Sequence, residues 1–179
     1  MGTRIARLLS VLTLILLAPS AQAAKPWQTL EDCRLVESWR NDGDSFMVHW
    51  NGGELTVRLY FADTPEADYR FMDRTKAQAE YFGISEEQAV EVGKMASKFT
   101  QEALKDGFSV KTRWQGVFSG QTNSRKYGIV SVGDQDLAEM LVANGLARIH
   151  GMGIGGQTWE EVERLKGLEA KAKAEGLGA

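Results

Sequence analysis

Cysteine is almost absent from these 179 residues, since Cys33 stands alone. No internal disulfide can form, so the fold must hold through its core, and the thiol reads as a buried bystander rather than a reactive group. Histidine is nearly as scarce. His49 and His150 lie far apart with no cysteine cluster beside them, which argues against a zinc site. Repeats and low-complexity stretches are missing, and 43% hydrophobic content is ordinary for a chain with a real core. An excess of basic charge is missing too, with 21 Lys and Arg against 24 Asp and Glu. Phosphate neutralisation by Lys and Arg supplies most non-specific affinity for nucleic acid, so the charge balance counts against a broad basic binding surface. Any phosphate chemistry has to use charge placed locally.

One long apolar run is present, Leu8 to Ala18, preceded by Arg4 and Arg7 and followed by small residues ending in Ala21-Gln22-Ala23. This pattern predicts a cleavable signal peptide over residues 1–23. The run is shorter than the ~20 residues needed to cross a bilayer and no second span follows, so no stable membrane insertion is expected after cleavage. Losing Arg4 and Arg7 takes the 21 basic residues to 19 against 24 acidic ones, an acidic mature chain. Residues 24–179 are expected to form one domain, a monomer that is secreted or periplasmic.

Along that domain, Phe46, Val48 and Trp50, then Leu55, Val57, Leu59 and Phe61, alternate about the turn Asn51-Gly52-Gly53 and predict a β-hairpin. Arg58 falls between Val57 and Leu59, away from the apolar face, where a solvated side chain is expected. A short strand is expected near Leu35 to Trp39. Residues 67–84 are charged and aromatic without clear period and read as a long loop. Ser85 and Gln88 form a capping box for a helix whose stripe is Ala89, Val92, Met95, Phe99 and Leu104. Strands follow at Phe108 to Trp114 and Lys126 to Val132, with the polar turn Gln121 to Ser124 before the second. Asp136 with Glu139, and Thr158 with Glu161, cap two further helices ended by Gly145 and Gly176. Five strands with about three helices suit an α+β fold built on an OB-type β-barrel. The tryptophans, Trp39, Trp50 and Trp114 among them, are expected to pack in the core, and Trp159 to pack at the start of the last helix. Mixed charges on that helix predict a solvated face.

The informative residues are Asn41-Asp42-Gly43-Asp44-Ser45-Phe46, followed by Val57-Arg58-Leu59-Tyr60-Phe61-Ala62-Asp63-Thr64-Pro65-Glu66. With Ala96-Ser97-Lys98-Phe99-Thr100 and Leu141-Val142-Ala143-Asn144-Gly145-Leu146-Ala147-Arg148, they resemble the staphylococcal nuclease family over most of the mature chain. The shared pattern is a Gly-Asp-Ser/Thr turn, an arginine on a strand leading into Asp-Thr-Pro-Glu, and a later strand arginine. The resemblance implies a calcium-dependent endonuclease that cuts DNA or RNA to 3′-phosphate ends and attacks single strands readily.

The chemistry can be argued from the residues as well. A hard cation such as Ca²⁺ needs several oxygen ligands, and Asp44, Asp63 and the Thr64 carbonyl fit that need while leaving room for water and phosphate. Glu66 suits a general base. Arg58 and Arg125 suit the charge that builds on phosphorus oxygens, because a guanidinium donates two parallel hydrogen bonds and stays charged. Arg125 takes its position when the chain is read back without gaps from Gly145-Leu146-Ala147. A rival register puts Ile129 there, which could only pack.

Three departures from the family pattern stand out. Its nucleotide-contacting tyrosines are replaced by Asn123, Gly151 and Gly153, the segment after Glu66 is longer, and Tyr-Gly does not precede Arg125. Lost stacking removes on the order of 1 to 3 kcal/mol per base. An alternative therefore stands beside the nuclease, a non-catalytic OB-type module that binds an oligonucleotide or a glycan.

Overall fold

A computed structural model of the chain describes residues 25–117, 125–151 and 158–178. The expected signal peptide, the 121–124 turn, Asn123 and Gly153 lie outside the described residues.

The apolar alternation builds a closed barrel of five strands: β1 (Gln28–Leu35), β2 (Ser45–Trp50), β3 (Gly53–Leu59), β5 (Phe108–Gly116) and β6 (Lys126–Val132). Between β3 and β5, β4 (Phe61–Asp63) stands off the barrel. The barrel order is β3-β2-β1-β5-β6, and β3 closes the ring by pairing parallel to β6, with Arg58 opposite Tyr127. Phe46, Val48, Val57, Leu59, Val110 and Val130 line its inside, each at most 2% exposed. Burying a side chain of this size contributes roughly 1.5–3 kcal/mol.

The first strand lies at Gln28–Leu35 rather than Leu35 to Trp39. A bulge between Leu30 and Cys33, with Asp32 at φ 53°, sends both inward across three positions. That spacing breaks the two-residue period and hides the strand from an alternation search.

The chain leaves the barrel at Phe61, whose φ of 68° is unusual for an aromatic residue. β4 then pairs with β8 (Arg148–His150), Asp63 opposite Arg148, while the two-residue strand β7 (Gln135–Asp136) turns back antiparallel against the end of β6.

Among the described residues four helices decorate the barrel: α1 (Met72–Phe82), α2 (Glu86–Leu104), α3 (Leu137–Ala143) and α4 (Trp159–Glu175). The stretch read as a loop is instead a 3-10 turn at Tyr69–Phe71 followed by α1. The residues α1 buries are Thr75, Gln78 and Ala79, a helical spacing made of polar and small groups, so no apolar period announces it. In α2 both halves of the Ser85/Gln88 capping box form; Ala89, Val90, Val92, Gly93, Ala96, Thr100 and Leu104 are buried and Phe99 packs half-buried on the core, but Met95 faces solvent. Asp136 caps α3 alone; Glu139 instead accepts from Arg164. Thr158 and Glu161 complete their box on α4, and Gly176 ends it in a left-handed conformation. Trp50 and Trp114 pair with ring centres 5.9 Å apart against the core. Trp39 and Trp159 do not pack inside, being 73% and 71% exposed. Among the described residues no helix is long and apolar enough to cross a membrane.

Candidate active site

At the open end of the β2–β3 hairpin, where Ser45 pairs with Arg58, three polar segments meet. The Asp42 side chain accepts from the backbone N–H groups of Asp44 and Ser45, which shapes the turn before β2. Gly43 lies where a Cβ would come within 2.9 Å of both Thr64 and Ala96, so only glycine lets the turn sit this close to β4 and α2. Thr100 Oγ1 donates to the Gly43 carbonyl at 2.7 Å. These contacts aim Asp44 inward, 1% exposed.

Arg58 is not the solvated strand residue its alternation suggests. It is 8% exposed, because the outward face at the end of β3 is covered by the Asp44 turn and by β4. Its Nη1 reaches Asp44 Oδ1 at 2.5 Å and its Nη2 reaches Asp63 Oδ1 at 2.6 Å. One planar fork therefore spans two carboxylates from separate segments. The Thr64 backbone N–H closes the figure by donating to Asp44 Oδ2 at 2.7 Å.

Three further side chains complete the site, and the sequence reading gave none of them a role there. Gln78 of α1, fully buried, donates to the Thr64 carbonyl at 2.9 Å and to Asp63 Oδ2 at 3.2 Å, and accepts from the Glu66 N–H at 3.0 Å. Arg74, also on α1, reaches Glu66 Oε1 at 2.9 Å and Asp63 Oδ1 at 3.3 Å. Arg148 Nε reaches Asp63 Oδ2 at 2.9 Å from β8. The only signal for Arg74 and Gln78 was their place in the longer segment after Glu66.

Of the residues singled out from sequence, Asp44, Arg58, Asp63 and Thr64 are in direct contact. Glu66 joins them through Arg74 and Gln78. Arg125, just ahead of β6, donates from Nη1 to the Oγ of Ser45, the residue after Asp44, at 3.3 Å. Ile129 lies inside β6, opposite Lys111.

Burial pushes the Asp44 carboxyl up, to about 8, against the pull of Arg58 and with Asp42 and Asp63 adding to the rise. Burial also works against ionised Asp63, but Arg58 and Arg148 outweigh it and hold that carboxyl down at about 2. Glu66 is raised by burial, with Arg74 opposing. A cation beside Asp44 would favour its ionised form, the sign a metal ligand needs.

The donor chemistry fits a hard divalent ion. Asp44 Oδ1 and Asp63 Oδ1 converge on the same guanidinium, and the Thr64 carbonyl lies beside them through Gln78. All three are oxygens of the type Ca²⁺ takes. Among the described residues no group of three His, Cys, Asp or Glu side chains could hold an ion. The backbone carbonyl and water would thus have to complete the set.

The family model described as staphylococcal nuclease homologue matches residues 56–179, from within β3 to the last residue of the sequence. No curated protein matches the chain.

Proposed function

Because the chain belongs to the staphylococcal nuclease family, we propose that it is a calcium-dependent endonuclease hydrolysing phosphodiester bonds of DNA or RNA. The observation that carries this reading is the bridge from Arg58 to Asp44 and Asp63, with Glu66 tied to the same cluster by Arg74. A turn-and-surface role for these residues has no use for such convergence.

Asp44, Asp63 and the Thr64 carbonyl would hold Ca²⁺, which supplies a Lewis acid for the phosphate. Glu66 accepts the proton of the attacking water. Arg58 and Arg125 donate to the non-bridging oxygens as negative charge builds on them. The phosphorus gains a bond to the water oxygen and loses one to the leaving sugar oxygen, which is protonated from solvent. Gln78 fixes the backbone at Thr64 and Glu66 and so sets the base against the metal ligands.

We further propose that residues 1–23 direct export and are removed, leaving a soluble periplasmic or secreted protein. Its N-terminus should then read Ala24 when the processed product is sequenced, whereas an intact Met1 would reject the leader.

The deciding assay is digestion of single-stranded DNA, duplex DNA and RNA by the mature protein with Ca²⁺, set against excess chelator. Cleavage with Ca²⁺ and none in chelator supports the nuclease. Binding without cleavage under both conditions would favour the non-catalytic OB-type module.

A further inference from the structure

Outside the catalytic cluster, the most exposed large hydrophobic side chain among the described residues, Trp39, sits in a surface that is aromatic and cationic together. Trp39, 73% exposed, lies five residues before Asp44. The Arg40 guanidinium carbon sits 5.0 Å from its ring centre and that of Arg70 sits at 5.3 Å. Arg70 belongs to the 3-10 turn four residues beyond Glu66, and Asp68 holds it there by accepting from both its backbone N–H and its Nε. On the same turn Tyr69 and Phe71 are 48% and 54% exposed. Trp39 and Arg70 therefore join the segment leading into Asp44 to the segment leaving Glu66.

A large exposed indole is costly to keep in water, and core packing does not explain this one. Guanidinium groups against it hold the ring by cation–π attraction and supply positive charge in an otherwise acidic chain. An aromatic face with arginines alongside is the chemistry that takes a nucleobase and its phosphate together. Resting on the nuclease reading of the neighbouring site, we propose that Trp39, with Arg40 and Arg70, forms a stacking platform for an unpaired base of single-stranded nucleic acid next to the scissile phosphate. It would do the work of the aromatic contacts absent at Gly151. Duplex DNA, whose bases are already stacked, cannot use the platform without local melting. The segment after Glu66 thus contributes to substrate choice as well as to support of the base.

The test is equilibrium binding of a fluorescently labelled oligothymidylate and of an abasic phosphodiester strand of equal length, by anisotropy, with excess chelator. The two probes share phosphates and differ in bases. Wild-type protein is expected to prefer the oligothymidylate by about tenfold, the scale of one base stacked on an aromatic ring. Trp39→Ala should erase that preference and Trp39→Phe should restore most of it, a pattern that loss of fold cannot mimic. Equal binding of both strands by wild-type protein, or an undiminished preference in Trp39→Ala, overturns the platform. Because the strand stays uncut in chelator, the answer is separate from whether the calcium-loaded protein cleaves.

Discussion

Arg74 Nη2 lies 2.9 Å from Glu66 Oε1, so the carboxylate proposed as the base is held by an arginine from a helix that no apolar period announces. The pair sits at the edge of the buried cluster, where Arg74 is 45% exposed and Glu66 only 11%. Glu66→Gln keeps the shape and removes the proton acceptor, so turnover should fall by at least about a hundredfold with circular dichroism unchanged. Near-normal turnover in that variant would return Glu66 to a structural role.

Arg74 favours ionised Glu66 while burial disfavours it. As the proposed base, Glu66 would work deprotonated, so activity should be lost as pH falls through its titration. Arg74→Ala takes away the opposing cation, and the acid limb of the kcat/KM profile should move to higher pH. A limb that stays in place, or moves down, would show that Arg74 does not tune Glu66.

Gln78 should be intolerant of substitution out of proportion to its size. Gln78→Ala leaves the Glu66 N–H without its partner and strips a donor from Asp63, a loss of about 1–3 kcal/mol for each buried group left unpaired. Gln78→Glu fills the space but sets an acceptor against Asp63 and the Thr64 carbonyl. It should unfold at a lower temperature than Gln78→Ala. Melting curves that place the two variants in the reverse order would refute this account of the amide.

Arg125 makes opposite forecasts under its two readings. If it donates to phosphorus oxygens, Arg125→Ala should reduce kcat by about 10² or more, and Arg125→Lys should rescue poorly because lysine lacks the planar fork. An unchanged kcat in a folded Arg125→Ala protein would leave its bond to Ser45 as a packing detail.

Cys33 is fully buried and its thiol donates to the Leu30 carbonyl at 3.3 Å. Burial pushes it up to about 11. The unfolded chain releases this proton at lower pH than the folded one, so stability should decline as pH rises from about 9 toward 11. The native thiol should resist a disulfide reagent at pH 8 and react at once in denaturant. Rapid labelling of native protein would contradict the burial.

Much of the barrel could be read from alternation, because Phe46, Val48, Val57 and Leu59 are apolar and face inward at every second position. The candidate metal ligands were legible for a different reason: their spacing around Arg58 had a pattern to be compared with. What escaped shares one physical cause. The bulge at Asp32 breaks the period of β1, and α1 buries polar groups, so signals tuned to apolar repeats pass over both. Arg148 meets Asp63 from far along the chain, and Arg74 and Gln78 meet Asp63, Thr64 and Glu66 only because α1 folds back on them, which local spacing cannot reveal.

The parallel pairing of β3 with β6 brings Arg58 beside Tyr127, and β8 adds Arg148 to a cluster that begins at Asp44. No contiguous fragment shorter than that whole interval carries the assembled groups. A nascent chain with Asp44 through Glu66 already outside the ribosome holds the carboxylates but not the scaffold that orients them. Chemistry at this centre would therefore switch on in a single late step, when loops of high contact order close. Under the proposed nuclease reading, a chain still held extended would leave nucleic acid uncut.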